Sequence, residues 1–363
     1  MSVWSPKPAG RGAVRILSIA ATAAATMVIL GIAQDSSQAP PDLSQTGLYA
    51  DYATKTVDPR NLAYSPQYPL WSDGAAKRRW VYLPAGAQVD ASDPDVWDFP
   101  KGTKVWKEFS FGGRRVETRL IESLGGGEMR FASYAWNAAE TDAVLVPPEG
   151  LRGVAEIRPG IRHDIPGVLD CQACHVSRRA ELLGFSALQL SADRDPGAPN
   201  AEPVIPGMIN LTTLIARGLI RSFPDGWKER ALRIPAPNPR TRAALGYLHA
   251  NCGNCHNSGG GLDVINLLLR HSVAPDATTE PAIATAVNRK GRFRIPGAEP
   301  GSTFLICPGD ADHSAVVYRM SSRNPLRQMP PLGTKIVDSE ALPLIRLWIE
   351  EDLSKDTRIP EAE

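Results

Sequence analysis

The chain has 363 residues, with 40 Lys plus Arg against 39 Asp plus Glu, and only 5 Cys and 6 His. Charge this evenly balanced excludes the basic surface that a nucleic-acid binder needs. The length is enough for two or three domains with real cores, and 32 Pro with 31 Gly imply many turns and irregular connections.

Lys7, Arg11 and Arg15 precede an apolar run from Ile16 to Ala33. A positive stretch followed by an apolar one is the pattern of an export signal, and Gly31-Ile32-Ala33 offers small residues for cleavage. The run is also long enough to stay as a single anchor, the only membrane contact expected. Residues 1–33 therefore read as a signal peptide or N-terminal anchor, and residues 34–60, rich in Ser, Gln, Pro and Asp, as a linker.

Residues 61–160 read as a β-rich domain. Arg79 to Leu83 is β-prone and closed by Pro84-Ala85-Gly86. Lys104 to Phe111 and Arg114 to Ile121 alternate apolar and polar residues around Gly112-Gly113, a hairpin signal. Met129 to Trp136 and Ala143 to Val146 add strands, and Gly125-Gly126-Gly127 is a turn. An antiparallel, sandwich-like domain is expected. Residues 161–237 read as a region of short helices, including Met208 to Leu219. Residues 238–363 open with Asn238-Pro239, a helix start that leads to Cys252. They close with a helix from about Ser339, apolar at Leu342, Ile345, Trp348, Ile349 and Leu353. The fold expected from the whole pattern is α+β: the antiparallel β-sandwich-like domain followed by a mainly α-helical region.

The chemistry sits in the cysteines. Cys171-Gln172-Ala173-Cys174-His175 returns as Cys252-Gly253-Asn254-Cys255-His256, so four of the five cysteines fall in two Cys-x-x-Cys-His motifs. Two thiols three residues apart lie on one side of a helical turn, where both can form thioethers with one haem while the adjacent imidazole binds its iron. A zinc site, a thioredoxin-like pair and two disulfides are the rivals. Zinc leaves the repeated His unexplained, and a redox pair needs one motif rather than two, so residues 161–237 read as a first haem-binding region and the helical half as a c-type cytochrome region. Cys307, among apolar neighbours, reads as a structural thiol.

After the second motif comes Arg327-Gln328-Met329-Pro330-Pro331-Leu332-Gly333. Two prolines fix the backbone after Met329, which suits a thioether aimed at iron. Met320 reads as packing, His249 as a surface or second-shell residue, and His271 and His313 as solvated. For the first site the distal candidates are His163 and Met208, with Met129 weaker; an open iron is the other choice.

The order of helix, Cys252 motif, Met-Pro-Pro loop and Trp348 helix resembles a class I cytochrome c. That resemblance implies thioethers at Cys252 and Cys255, a proximal His256 and a distal Met329. Pro69-Leu70-Trp71-Ser72-Asp73-Gly74-Ala75 with Lys77, Phe99 to Thr103, Glu117-Thr118-Arg119 and Tyr247 to Cys252 make residues 60–353 resemble an uncharacterised bacterial family of exported dihaem c-type cytochromes. The family implies export, a β-plus-cytochrome layout and haem. Its polar residues form either a site on the β-domain or turns and paired surface charges.

The function expected is periplasmic electron transfer through two covalently bound c-type haems, with periplasmic redox proteins or a dehydrogenase as partners. The alternative is a haem oxidoreductase in which the first haem is catalytic and the second a relay.

Overall fold

The computed structural model describes residues 1–2, 38–175, 182–227, 232–274 and 279–355. The segment 16–33, read as signal or anchor, lies outside them; among the described residues no helix is long and apolar enough to cross a membrane. In chain order the strands are β1 (Tyr49–Asp51), β2 (Thr56–Val57), β3 (Leu62–Ala63), β4 (Ala76–Tyr82), β5 (Val89–Asp90), β6 (Lys104–Phe111), β7 (Arg114–Gly125), β8 (Glu128–Trp136), β9 (Ala143–Leu145), β10 (Leu151–Arg158), β11 (Ile161–Ile165) and β12 (Ile220–Arg221). The helices are α1 (Val168–His175), α2 (Leu211–Ala216), α3 (Pro239–Asn251), α4 (Pro281–Ala286), α5 (Ala315–Ser321) and α6 (Ala341–Leu347).

The dominant element is one antiparallel sheet in the order β3-β4-β6-β7-β8-β9. Because side chains alternate across a strand, register assigns every residue to a face. Trp80, Trp106, Leu120 and Ala132 form one cross-strand row. With Tyr134 and Trp136 they build an aromatic core that Leu43, Leu48, Tyr49 and Tyr52 cover. Residues 39–60 are therefore a packed layer rather than a linker. Leu43 and Leu48 supply the apolar contacts, and Thr46 accepts a hydrogen bond from Trp106 Nε1 at 3.1 Å. The opposite face carries Val81 and Val105, which join Trp97, Phe99, Phe185, Leu214 and Trp227 in a second core.

Two parts of the expected fold are corrected. Among the described residues no second large sheet stacks on this one; the remaining strands form only two-stranded pairs. Alternation shows that both faces of a strand are used, but not whether a sheet or a loop covers them, and here loops and short segments do. Nor is the second half mainly α-helical. Among the described residues of that half the longest α-helix, α3, has 13 residues, and α2, α4, α5 and α6 have six or seven each. Gly218 lies just past α2 and Gly253 just past α3, whereas α6 runs on as a π turn, Trp348–Asp352, and a 3-10 turn, Leu353–Lys355.

The helices that do form meet in a third core. Ala244, Leu245 and Leu248 of α3 pack with Val317 and Met320 of α5, Ile345 of α6, and Trp348 and Ile349 just beyond it. Asn238 caps α3 by accepting the Thr241 N–H at 2.8 Å, with Pro239 at the first helical position. Gly246 faces Tyr68, and a Cβ there would fall inside the tyrosine ring. That ring is buried, and its hydroxyl donates to Asp195 at 3.1 Å, so it has no free path to retreat. Gly246→Ala should therefore cost about 1–3 kcal/mol of stability despite the better helix propensity of alanine. Denaturant titration is the check; an unchanged or raised midpoint contradicts this packing.

Candidate haem-binding site

The first motif occupies α1. Gly167 N–H is accepted by the Asp170 carboxylate at 3.1 Å, and Val168 N–H by the Pro148 carbonyl at 3.0 Å, so the helix starts as a tight turn after β11. It lies on β8, where the His175 ring stands 5.4 Å from that of Phe131. Ser133 of β8 adjoins Cys171, and Arg119 of β7 exerts its charge on both Cys171 and Cys174. Burial pushes the Cys171 thiol up. Not one side chain of α1 is fully buried. A helix of eight residues is not stable by itself, and this one is held by its half-buried side, with Val168, Cys171, Cys174 and His175, resting on β8.

The second motif continues from α3. Cys252 N–H bonds to the Leu248 carbonyl at 2.9 Å, and Cys255 and His256 N–H both reach the Cys252 carbonyl, at 3.1 and 2.9 Å. The five residues therefore make one further turn, with both thiols and the imidazole on it. Three asparagines close the turn: Asn251 to Tyr247 O at 3.2 Å, Asn254 to Ala250 O at 2.9 Å and Asn257 to Gly253 O at 3.0 Å. Their amides satisfy carbonyls that a helix end leaves unpaired. Gly253 is obligatory, since a Cβ would lie 2.6 Å from the His249 carbonyl and 2.9 Å from Arg270 Cα. Burial, aided by Arg319, pushes the His256 imidazole down, in favour of its neutral form. Its Nδ1 is buried without a hydrogen-bond partner.

The two motifs converge. Cys174 Sγ and Cys255 Sγ are 4.0 Å apart although 81 positions separate them. The contact pushes the Cys174 thiol up and draws Cys255 down to about 7. Cys252, half-buried against the third core, is pushed up to about 12 by desolvation.

The loop carrying Met329 is held from three sides. Met329 N–H bonds to the Arg319 carbonyl at 2.9 Å. Gln328 Nε2 reaches the Pro330 and Pro331 carbonyls at 3.3 and 3.4 Å. Further on, Lys335 and Ile336 N–H donate to the buried Asp73 carboxylate at 2.8 and 2.9 Å, and Trp71 Nε1 donates to the Ile336 carbonyl at 3.0 Å. The same loop meets the second motif, because Trp71 N–H donates to Asn251 Oδ1 at 2.7 Å. Trp71, Asp73 and Asn251 are thus buried struts rather than surface turn residues. Burial raises the Asp73 carboxyl, while the two backbone donors oppose that rise.

The remaining candidates are spread out. His163 on β11 is buried and bonds through Nε2 to Glu117 Oε2 at 3.0 Å, one strand from β8. Met208 precedes α2, and its neighbour Ile209 bridges to the β3 edge of the sheet, N–H to Ala63 O at 2.8 Å. Four strand spacings, roughly 19 Å, separate β3 from β8. Met129 lies two residues before Phe131 on the same face of β8 and packs into the second core. Met320 is buried in the third core.

His249 and His271 are not on the surface. His249 is buried, its Nδ1 has no partner, and burial together with Arg270 pushes it to about 3. His271 is buried against Glu280 at 2.5 Å. His313 is the partly solvated one, paired with Asp310 at 2.6 Å. Cys307 is only half-buried. Among the described residues no three His, Cys, Asp or Glu side chains gather to hold a bare metal ion.

No protein-family model, no curated protein and no solved structure matches the chain. The donor set fits covalently held haem on its own chemistry. It offers two dithiol turns, each followed by an imidazole, and an unpartnered Nδ1 on His256.

Asp73→Ala should strand two buried amides and destabilise the protein by about 1–3 kcal/mol, whereas Asp73→Asn, which keeps an acceptor oxygen, should lose less. Chemical unfolding of both variants measures this. Equal stability of Asp73→Ala and the parent would rule out the strut.

Proposed function

We propose that this chain is an exported dihaem c-type cytochrome that carries single electrons in the periplasm, with periplasmic redox proteins or a dehydrogenase as partners. The observation that carries the reading is the convergence of two Cys-x-x-Cys-His turns, drawn from distant parts of the chain, to a sulfur–sulfur distance of 4.0 Å. Covalently bound haem supplies a one-electron iron couple, and the polypeptide sets potential and docking. Cys171 and Cys174 hold the first group, and Cys252 and Cys255 the second. His175 and His256 are the proximal ligands. Favouring the neutral form of His256 matters because only the unprotonated nitrogen binds iron. Met329, on its braced loop, is the distal ligand of the second site. The apolar run after Lys7, Arg11 and Arg15 supports export, which attachment of this kind requires.

A second reading follows from His163. Its Nε2 is engaged by Glu117 rather than left open, which favours a first iron without a protein ligand on its distal side. In that case the first site does oxidoreductase chemistry and the second relays electrons. Carbon monoxide separates the two: it binds the reduced protein if the first site is open, and does not if His163 occupies it.

Made in a host equipped for cytochrome maturation, the mature chain should be red and carry the mass of two haems. Changing both Cys171 and Cys174 to Ser should remove one of them. Met329→Ala should lower the midpoint of one haem and spare the other, read by redox titration with visible spectroscopy. An unmodified mass and a colourless solution would overturn the proposal.

A further inference from the structure

The second-core face of the sheet holds a row that this function does not use. Register places Arg79 of β4 opposite Lys107 of β6, Lys107 opposite Arg119 of β7, and Arg119 opposite Ser133 of β8. Directly opposed residues on one face stand about 5 Å apart at Cβ, so three cations lie side by side. The row ends at the first motif, where Ser133 adjoins Cys171 and Arg119 acts on both thiols.

Two of these cations are answered. Arg79 is paired with Glu202, which Lys77 also approaches at 3.4 Å, and Arg119 is paired with Glu117. Lys107, between them, makes no ion pair with a carboxylate of the described residues. Its ammonium lies over the Phe109 ring at 4.8 Å, a ring that Arg119 shares at 4.4 Å. Asp338 reaches the group only through its field on Lys77. Two contacting carboxylates thus serve four cations; Lys107, half-buried, feels Glu202 only through its field, which the like charges of Arg79, Lys77 and Arg119 outweigh. A partly enclosed cation without a contacting counter-ion is costly, and like charges beside it add to the cost. Ser133 ends the row with its buried hydroxyl engaged by the Cys171 thiol.

We propose that Lys107, flanked by Arg79 and Arg119, receives a carboxylate or other small oxyanion beside the first Cys-x-x-Cys-His motif. Such an anion completes the charge balance and accepts the hydrogen bonds that the Lys107 ammonium has to offer. The burial and cationic neighbours that push the Lys107 amine well below its ordinary value act in the same direction, since an arriving anion restores its charge. One chemistry has two sources. It is a propionate of the haem held by Cys171 and Cys174, in which case the inference rests on the function proposed above, or a free oxyanion that reaches the protein from solution.

The test uses the purified full-length protein and its Lys107→Met and Lys107→Arg variants, with intact mass measured first. Thermal unfolding is followed against inorganic phosphate, with chloride at equal ionic strength as control, and the haem midpoints are titrated. A free site is expected to show phosphate stabilising the parent, with affinity about tenfold weaker in Lys107→Met and largely kept in Lys107→Arg. A propionate site is expected to leave the parent indifferent to phosphate. Lys107→Met then lowers the midpoint of the first haem, and Lys107→Arg restores it. Phosphate without effect together with unchanged midpoints overturns the inference. If the mass shows no haem, the function proposed above fails and the phosphate series alone decides this one. Lys107→Gln repeats the measurements if the Met variant does not fold.

Discussion

Asn251 ties the second site together. One side-chain amide accepts the Trp71 N–H at 2.7 Å and donates to the Tyr247 carbonyl at 3.2 Å and the Pro69 carbonyl at 3.3 Å. It is the last residue of α3, next to Cys252, so the Pro69–Ala75 segment is fixed to the cysteine turn. From the same segment Trp71 and Asp73 reach the backbone at Lys335 and Ile336. His256 and Met329 belong to stretches separated by a long irregular connection, and ordering such a connection is entropically expensive. A short strut that bonds to both ends sets their spacing without requiring the intervening chain to be regular. These bonds are made in a buried setting, where losing either partner leaves an unpaired polar group, so the arrangement resists piecemeal relaxation.

The sheet divides its labour by face. Trp80, Trp106, Leu120, Tyr134 and Trp136 give one side a continuous aromatic layer, and burial of that area is where much of the stability of this half arises. The other side mixes Val81 and Val105 with Lys77, Arg79, Lys107, Glu117 and Arg119. Buried ion pairs contribute little net stability once desolvation is counted, and an apolar row of the same shape would hold the sheet at least as well. Charges retained there at such cost are better explained by what lies against them. The first motif lies at the end of the row.

Much of this was legible beforehand. Strand alternation located β4, β6, β7, β8 and β9, Gly112-Gly113 marked the hairpin, and Asn238-Pro239 marked the start of α3, because each is a local signal. The architecture was not local. Whether Trp80 and Trp106 face a second sheet or the segment around Leu43 and Leu48 depends on contacts that alternation does not encode, and residues 39–60 have the composition of a tether while packing as a layer. Helix content was over-read for a related reason: apolar spacing from Met208 to Leu219 suits a longer helix than α2, but Asn210 caps it late and Gly218 follows its end. Trp71, Asp73 and Asn251 were visible as a pattern, though nothing in their spacing shows that they meet across the fold. The burial of His249 was missed because a histidine near a helix end has no sequence mark of depth.

The two cysteine turns are built on unequal foundations. Cys252 follows a helix whose residues Ala244, Leu245 and Leu248 are sunk in the third core, so its position is settled by packing that exists without any added group. Cys171 and Cys174 ride on an eight-residue helix with no fully buried side chain, placed by the Pro148 and Asp170 contacts at its start and by Phe131 and Ser133 beneath it. Such a helix gains most from anything that covers it, whereas α3 gains least. The sulfur–sulfur approach at Cys174 and Cys255 is therefore set chiefly by where the sheet holds α1. A change on β8 or in the Arg119 row reaches the first site directly and the second only through that contact.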